Sequence, residues 1–166
     1  MAKKELILAL KDAGLFIATA ESLTAGMLSE HLTFTPGSSE VFLGGVVAYQ
    51  SAVKSELLGV SPALLENQGA VDAEVAAQMA AGVRERFAKI NQKPLNQVLG
   101  VSLTGVAGPG LSNGKPAGTV FIGVSSIAGE SVYAHEFRGN REQVRERSVE
   151  AALAALWEQL EVIVGY

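Results

Sequence analysis

Hydrophobic and polar positions alternate in blocks along this chain in a way that separates helices from strands. Residues 2–13 place Leu6, Ile7 and Leu10 on one face of a helix that Gly14 closes. Residues 15–20, LFIATA, form a short unbroken apolar run, the pattern of a strand covered on both faces. A helical pattern follows through Met27, Leu28 and Leu32, and a second apolar run lies within the stretch Thr35 to Lys54. Lys54 to Leu58 reads as a helical turn ended by Gly59, and Ser61-Pro62 opens another short helix that Gly69 ends. Asp72 caps a long helix in which Val75, Met79, Val83 and Phe87 recur every four residues, a core stripe whose opposite face, with Arg84, Glu85, Arg86 and Lys89, is expected in solvent.

The second half repeats the logic with a change of connection. Residues 97–103, QVLGVSL, read as a buried strand running into the glycine-rich turn 104–110. Residues 118–128 and 131–137 flank Gly129-Glu130 as a β-hairpin, and Asn140 caps a last helix over about 141–163 that buries Val144, Ala151, Ala155 and Leu156. Early alternation implies a parallel crossover and the late hairpin an antiparallel edge. The expected fold is therefore α/β, a three-layer α/β/α sandwich with a mixed, mostly parallel sheet.

Composition narrows the function classes. A length of 166 residues fits one domain over 1–166 with a full core, and 48% hydrophobic with 18% charged residues describes a globular chain. No apolar run approaches the roughly 20 residues of a membrane span, and the amphipathic first helix is unlike a secretory signal, so a cytoplasmic protein without membrane contact is expected. The absence of cysteine removes disulfides and thiolate chemistry, and His31 and His135 stand in no zinc-binding spacing, so neither a metal nor another cofactor is expected. A formal charge of -4 argues against nucleic acid as a partner while leaving room for a small anion held by local cations.

Candidate chemistry concentrates in Thr35 to Lys54, where Ser38 and Ser39 follow a Pro36-Gly37 turn and precede Tyr49 and Lys54. A lysine desolvated among apolar neighbours can give up its proton and activate a serine hydroxyl. The same residues would equally make a surface turn, a core strand and a solvated lysine. At Glu21-Ser22-Leu23-Thr24-Ala25-Gly26, a buried strand ends in small hydroxyl residues at a helix start, where α/β folds place ligands; Ser22 or Thr24 could also serve as the helix cap. The turn after Thr104 and Gly105 resembles phosphate-cradling loops, although no Walker motif follows, and Lys115 could reach back over it or stay solvated. Arg141 and Arg145, one turn apart at the start of the last helix, suit either a phosphate or a salt-bridged surface.

Taken together, ESLTAG (21–26), PGSSEVFLGGVVAYQSAVKSELLGV (36–60), GAVDAEVAAQMAAGVR (69–84), TGVAGPG (104–110), KPAGTV (115–120) and FRGNREQVR (137–145) resemble the CinA C-terminal domain family, the nicotinamide mononucleotide deamidases, in their stand-alone form. The resemblance covers nearly the whole chain in order. It implies metal-free hydrolysis of nicotinamide mononucleotide to nicotinate mononucleotide and ammonia, and a homo-oligomer. It also implies a Ser/Lys machinery at Ser39, Tyr49 and Lys54 with Ser22 beside them. In that scheme Ser39 attacks, Lys54 moves the proton, Ser22 or Tyr49 relays it, and backbone N–H groups near Thr24 to Gly26 hold the oxyanion. Glu21, Thr24, Thr104, Gly105, Arg141 and Arg145 are the expected substrate-binding residues, the last four for ribose and phosphate.

Two features bear on these assignments. Were 39–49 one straight strand, Ser39 would lie about 33 Å from Tyr49. The chain must therefore coil through Ser38 to Phe42, fold back at Gly44-Gly45, or borrow a second subunit. Ser22 needs no such device, so proximity to Lys54 decides between the two serines. Members of the family also commonly read ESCTGG where this chain has ESLTAG, and GAVS where it has GAVD at Asp72. A second reading is accordingly a weak or inactive relative that keeps the pocket as a nucleotide-binding or partner-binding module. Phosphoryl transfer is third, because no carboxylate placed to hold Mg²⁺ accompanies the glycine loop.

Overall fold

The computed structural model describes residues 3–165. The order is α1 (Lys3–Asp12), β1 (Phe16–Glu21), α2 (Met27–Thr33), β2 (Phe42–Val47), α3 (Ser51–Leu58), α4 (Pro62–Gln68), α5 (Ala73–Ile90), β3 (Val98–Gly105), β4 (Thr119–Ser126), β5 (Gly129–Glu136) and α6 (Arg141–Val164). A 3-10 turn over Ser38–Glu40 leads into β2. The chain does coil between Ser38 and Phe42, one of the three arrangements considered, but β2 still lies between Ser39 and Tyr49.

The strands form one sheet in the order β2-β1-β3-β4-β5. β1 pairs in parallel with both β2 and β3, whereas β3 with β4 and β4 with β5 are antiparallel, so β4 alone runs against the rest. Helices α1, α2 and α6 cover one face around Ile7, Leu10, Leu28, Leu32, Val149 and Leu156. Helices α3 and α5 cover the other around Leu58, Val75, Met79 and Val83. This is the three-layer α/β/α sandwich with a mixed sheet.

The crossover from β1 to β2 passes over the first face and that from β2 to β3 over the second. The chain thus reverses its direction of growth between β1 and β3, which opens a crevice beyond their carboxyl ends. Register brings those ends level, with Glu21 opposite both Val47 and Leu103.

Close approach of α5 to its neighbours depends on glycines. A Cβ at Gly100 of β3 would meet the Ala80 carbonyl oxygen at 2.1 Å, and one at Gly82 of α5 would meet that of Leu58, the last residue of α3, at 1.8 Å. Dense packing of this kind fixes α3 against α5.

Two expectations change. Helix α3 begins at Ser51, three residues before the helical turn expected from Lys54, so Lys54 sits in mid-helix. Arg84, expected in solvent, is half-buried and donates to the carbonyls of Val98 (2.8 Å) and Leu95 (3.0 Å), tying α5 to the start of β3.

Candidate active site

Lys54 is fully buried, an expensive place for an ammonium group unless its hydrogen-bonding capacity is met. Its Nζ donates to the carbonyl oxygens of Ala48 (2.7 Å) and Tyr49 (3.3 Å) and to Ser22 Oγ (3.0 Å). No carboxylate faces it among these partners. Burial alone pushes its pKa down from 10.5 to about 8. Roughly a tenth of such amines are neutral at pH 7, against fewer than one in a thousand for a solvated lysine.

Ser22 is the first residue after β1, and its N–H donates to the Leu103 carbonyl at 3.0 Å, which pins it to the end of β3. Beyond it the chain makes a tight turn into α2, held largely by Glu21. That carboxylate, 1% exposed, accepts from the N–H groups of Gly26 (3.1 Å), Leu28 (3.0 Å) and Ser29 (2.8 Å) and from the Ser29 hydroxyl (2.7 Å). An anion with that set of donors at a helix start is a structural cap.

Ser22, Leu23, Tyr49, Lys54, Thr104, Gly105 and Arg141 line a cavity of about 270 Å³, closed on one side by the turn from Val106 to Pro109. Thr104 Oγ1 donates to the Ala70 carbonyl at 2.6 Å. Arg141 donates to the Gly108 carbonyl (2.7 Å) and to the Tyr49 hydroxyl (3.3 Å), so it bridges the glycine-rich turn and the loop before α3.

Four expected site residues do not join this arrangement as foreseen, and Lys115, left open between the loop and solvent, takes neither place. Ser39 is exposed on the turn before β2, whereas Tyr49 follows its end; the strand alone separates them by roughly 17 Å. Glu21 faces α2 and not the cavity. Arg145 spends its guanidinium on the carbonyls of Leu23 (3.0 Å) and Thr24 (3.2 Å). Thr24 is buried outside the cavity lining, its hydroxyl without a partner. Lys115 donates to the Val71 carbonyl.

The expected oxyanion donors also shift. The Ala25 N–H donates to the Ser22 carbonyl (3.1 Å) and the Gly26 N–H to Glu21, leaving both occupied. Leu23 is the next residue after Ser22, it lines the cavity, and its N–H has no protein acceptor among the described residues.

A family model, the CinA C-terminal domain, matches residues 1–160. The chain belongs to the CinA C-terminal domain family. A CinA-like protein of Mycolicibacterium paratuberculosis is 47% identical over 150 residues, covering 87% of this chain and 33% of the relative. A putative competence-damage inducible protein of Bacillus subtilis is 43% identical over 144 residues, with the same two shares. The chain thus spans about a third of the length of the curated relatives it matches. Among solved structures, the competence-damaged protein (CinA) superfamily protein from Enterobacter cloacae superposes with a TM-score of 0.84 at 32% identity, covering 96% of this chain and 93% of the other. A competence or damage-inducible protein from Enterobacter asburiae gives 0.85 at 32% identity, covering 96% and 99%.

Within this CinA fold, sequence reasoning missed the Ala48 and Tyr49 carbonyls as partners of Lys54, because main-chain groups leave no residue signature. It also missed the capping role of Glu21. A carboxylate ending a buried strand a few residues before a helix was the available signal for it. Among the described residues, no helix is long and apolar enough to cross a membrane, and no group of three His, Cys, Asp or Glu residues is placed to hold a metal ion.

Proposed function

We propose that this protein hydrolyses the carboxamide of nicotinamide mononucleotide, giving nicotinate mononucleotide and ammonia, with Ser22 as nucleophile and Lys54 as general base. The observation that carries the reading is the 3.0 Å contact between Lys54 Nζ and Ser22 Oγ at the wall of a cavity, with Lys54 fully buried. A neutral amine has two hydrogens and one lone pair. Its hydrogens satisfy the carbonyls of Ala48 and Tyr49, and its lone pair faces the Ser22 hydroxyl.

Ser22 Oγ attacks the amide carbon while its proton passes to Lys54. The Leu23 N–H stabilises the oxyanion that forms, the usual part of the residue after a nucleophilic serine at a strand-to-helix turn. Lys54 then protonates the departing nitrogen, the C–N bond breaks, and ammonia leaves an ester on Ser22. A water molecule attacks that ester and yields its proton to Lys54, which returns it to Ser22 Oγ as the carboxylate is released. Arg141 and the turn after Gly105 supply cationic and N–H character for the phosphate.

Ammonia release from the pure protein supplied with nicotinamide mononucleotide tests the reading. A second reading, a nucleotide-binding module without turnover, draws on Ala25. It adopts φ 47°, a left-handed conformation better suited to the glycine that members of the family commonly carry there. No ammonia combined with substrate-dependent thermal stabilisation would favour that module; neither effect would reject both.

A further inference from the structure

Arg141 and Arg145 stand one turn apart at the start of α6, behind the Asn140 capping box that fixes this end of the helix. Their guanidinium groups nevertheless point to different tasks. Arg141 reaches the cavity wall, whereas Arg145 Nε donates to the Leu23 carbonyl and its Nη2 to the Thr24 carbonyl, bonds that span more than a hundred residues.

A trans peptide is planar, so its carbonyl and N–H point in opposite directions. By holding the Leu23 carbonyl toward α6, Arg145 turns the Thr24 N–H away from that helix. The Ala25 N–H, donating to the Ser22 carbonyl at 3.1 Å, sets the preceding plane and with it the Leu23 N–H. The turn is gripped at its far end by Glu21 through Gly26, Leu28 and Ser29, and at its near end by the Ser22 N–H on Leu103. Arg145 grips the middle, where the chain has no neighbouring strand to hold it.

We infer that Arg145 is a positioning residue, which fixes the peptide planes after Ser22 and so aims the nucleophile and the adjoining N–H donors, and that it is not a ligand of the substrate phosphate. The inference rests on Ser22 being the nucleophile. A planar guanidinium fork holds two successive carbonyls from fixed donor positions, whereas a lysine would present one point charge on a flexible stem and hold them less rigidly.

The experiment measures kcat and KM for ammonia release from nicotinamide mononucleotide, and the rate of Ser22 labelling by a fluorophosphonate, in wild type, Arg145→Gln, Arg145→Lys, Arg145→Ala and Arg147→Gln. The last removes an exposed arginine whose side chain donates, among the described residues, to the Arg138 carbonyl alone, and should match wild type. Misplacement of the turn should lower kcat for Arg145→Gln by about 10- to 100-fold and slow labelling in proportion, with KM within about twofold. Arg145→Lys should fall between, and free guanidinium should restore much of the rate of Arg145→Ala. A tenfold rise in KM with kcat unchanged would overturn the inference, as would unchanged kcat and labelling. If Arg145→Gln does not fold, the lysine variant and the guanidinium rescue decide by the same criteria. Wild type that labels at Ser22 but releases no ammonia defeats the substrate assignment and leaves the positioning role to the labelling rates; wild type that does neither defeats the reading of Ser22 and this inference together.

Discussion

Lys54 Nζ lies 3.0 Å from Ser22 Oγ across 32 residues of sequence, one group from the middle of a helix and the other from the end of a strand. The contact exists because β1 and β2 end level with each other and the chain after β2 turns at once into α3. Ala48 and Tyr49, the two residues just past the strand, then supply the carbonyls that tether the amine.

Replacement of Ser22 and of Ser39 should therefore separate cleanly. Ser22→Ala removes the only side-chain hydroxyl bonded to Lys54 among the described residues and should lower kcat at least about a thousandfold. Ser39→Ala, on an exposed turn at the other end of β2, should leave kcat and KM within about twofold. Steady-state ammonia release checks both, and the opposite ranking would reject Ser22 as nucleophile.

The depressed pKa of Lys54 carries a pH dependence with a definite sign. In the proposed mechanism the neutral amine is the base, so kcat/KM should climb about tenfold from pH 7 to pH 9 and level off above that, with a midpoint at about 8. Stability follows the same group. Unfolded Lys54 keeps its proton up to about 10.5, whereas folded Lys54 loses it from about 8, so between those values the unfolded state binds more protons and stability rises with pH. The rise amounts to roughly 3 kcal/mol at most. Lys54→Met should abolish both trends, the first in the rate profile and the second in urea denaturation measured at pH 7 and pH 10. A wild-type stability that falls over this interval, or a rise that survives in Lys54→Met, would disconnect the buried amine from the effect.

Relief of backbone strain at Ala25 is open to a direct check. An L-residue in the left-handed region costs on the order of 1 kcal/mol, and glycine does not bear that cost. The greater freedom of glycine in the unfolded chain returns part of the difference. Ala25→Gly should raise stability by a few tenths to about 1 kcal/mol, read as a higher urea midpoint, and a lower midpoint would show that Ala25 is not strained there.

The layers and most element ends were legible because their cause is local. Leu6, Ile7 and Leu10 mark a helix face, LFIATA marks a doubly covered strand, and Asp72 and Asn140 announce helix starts through side-chain caps that the structure bears out. The start of α3 was misplaced for the complementary reason: Gln50, its cap, makes no side-chain hydrogen bond and so leaves no signature. Within the candidate site the sequence marks both Ser22 and Lys54, but it favours Ser39 as nucleophile, whose nearness to Tyr49 and Lys54 along the chain is undone by the length of β2. Glu21 and Arg145 were expected on the substrate side because a charge at a pocket edge gives no hint of whether main-chain groups already occupy it. Arg84 was read as solvated for the same reason, its acceptors being carbonyls at the far end of a loop.

Gly82 offers a test of whether the position of α3 sets the chemistry. A methyl group there would meet the Leu58 carbonyl oxygen at 1.8 Å, a Cβ with no rotamer against a main-chain atom, so no side-chain rotation can relieve the clash and α3 must move away from α5. Overpacking of this sort costs about 1–3 kcal/mol, and displacement of a reacting group by about 1 Å costs on the order of 100-fold in rate. Because Lys54 rides on α3 while Ser22 is anchored to β3, the shift should lengthen the contact between them. Gly82→Ala should then lose kcat by about 10- to 100-fold, even at temperatures where its melting curve shows it fully folded. The lysine pKa should also move back toward 10.5 as water reaches the amine, which raises the midpoint of the rate profile. A variant that melts earlier but keeps both kcat and that midpoint would mean that α5 does not hold the lysine in place.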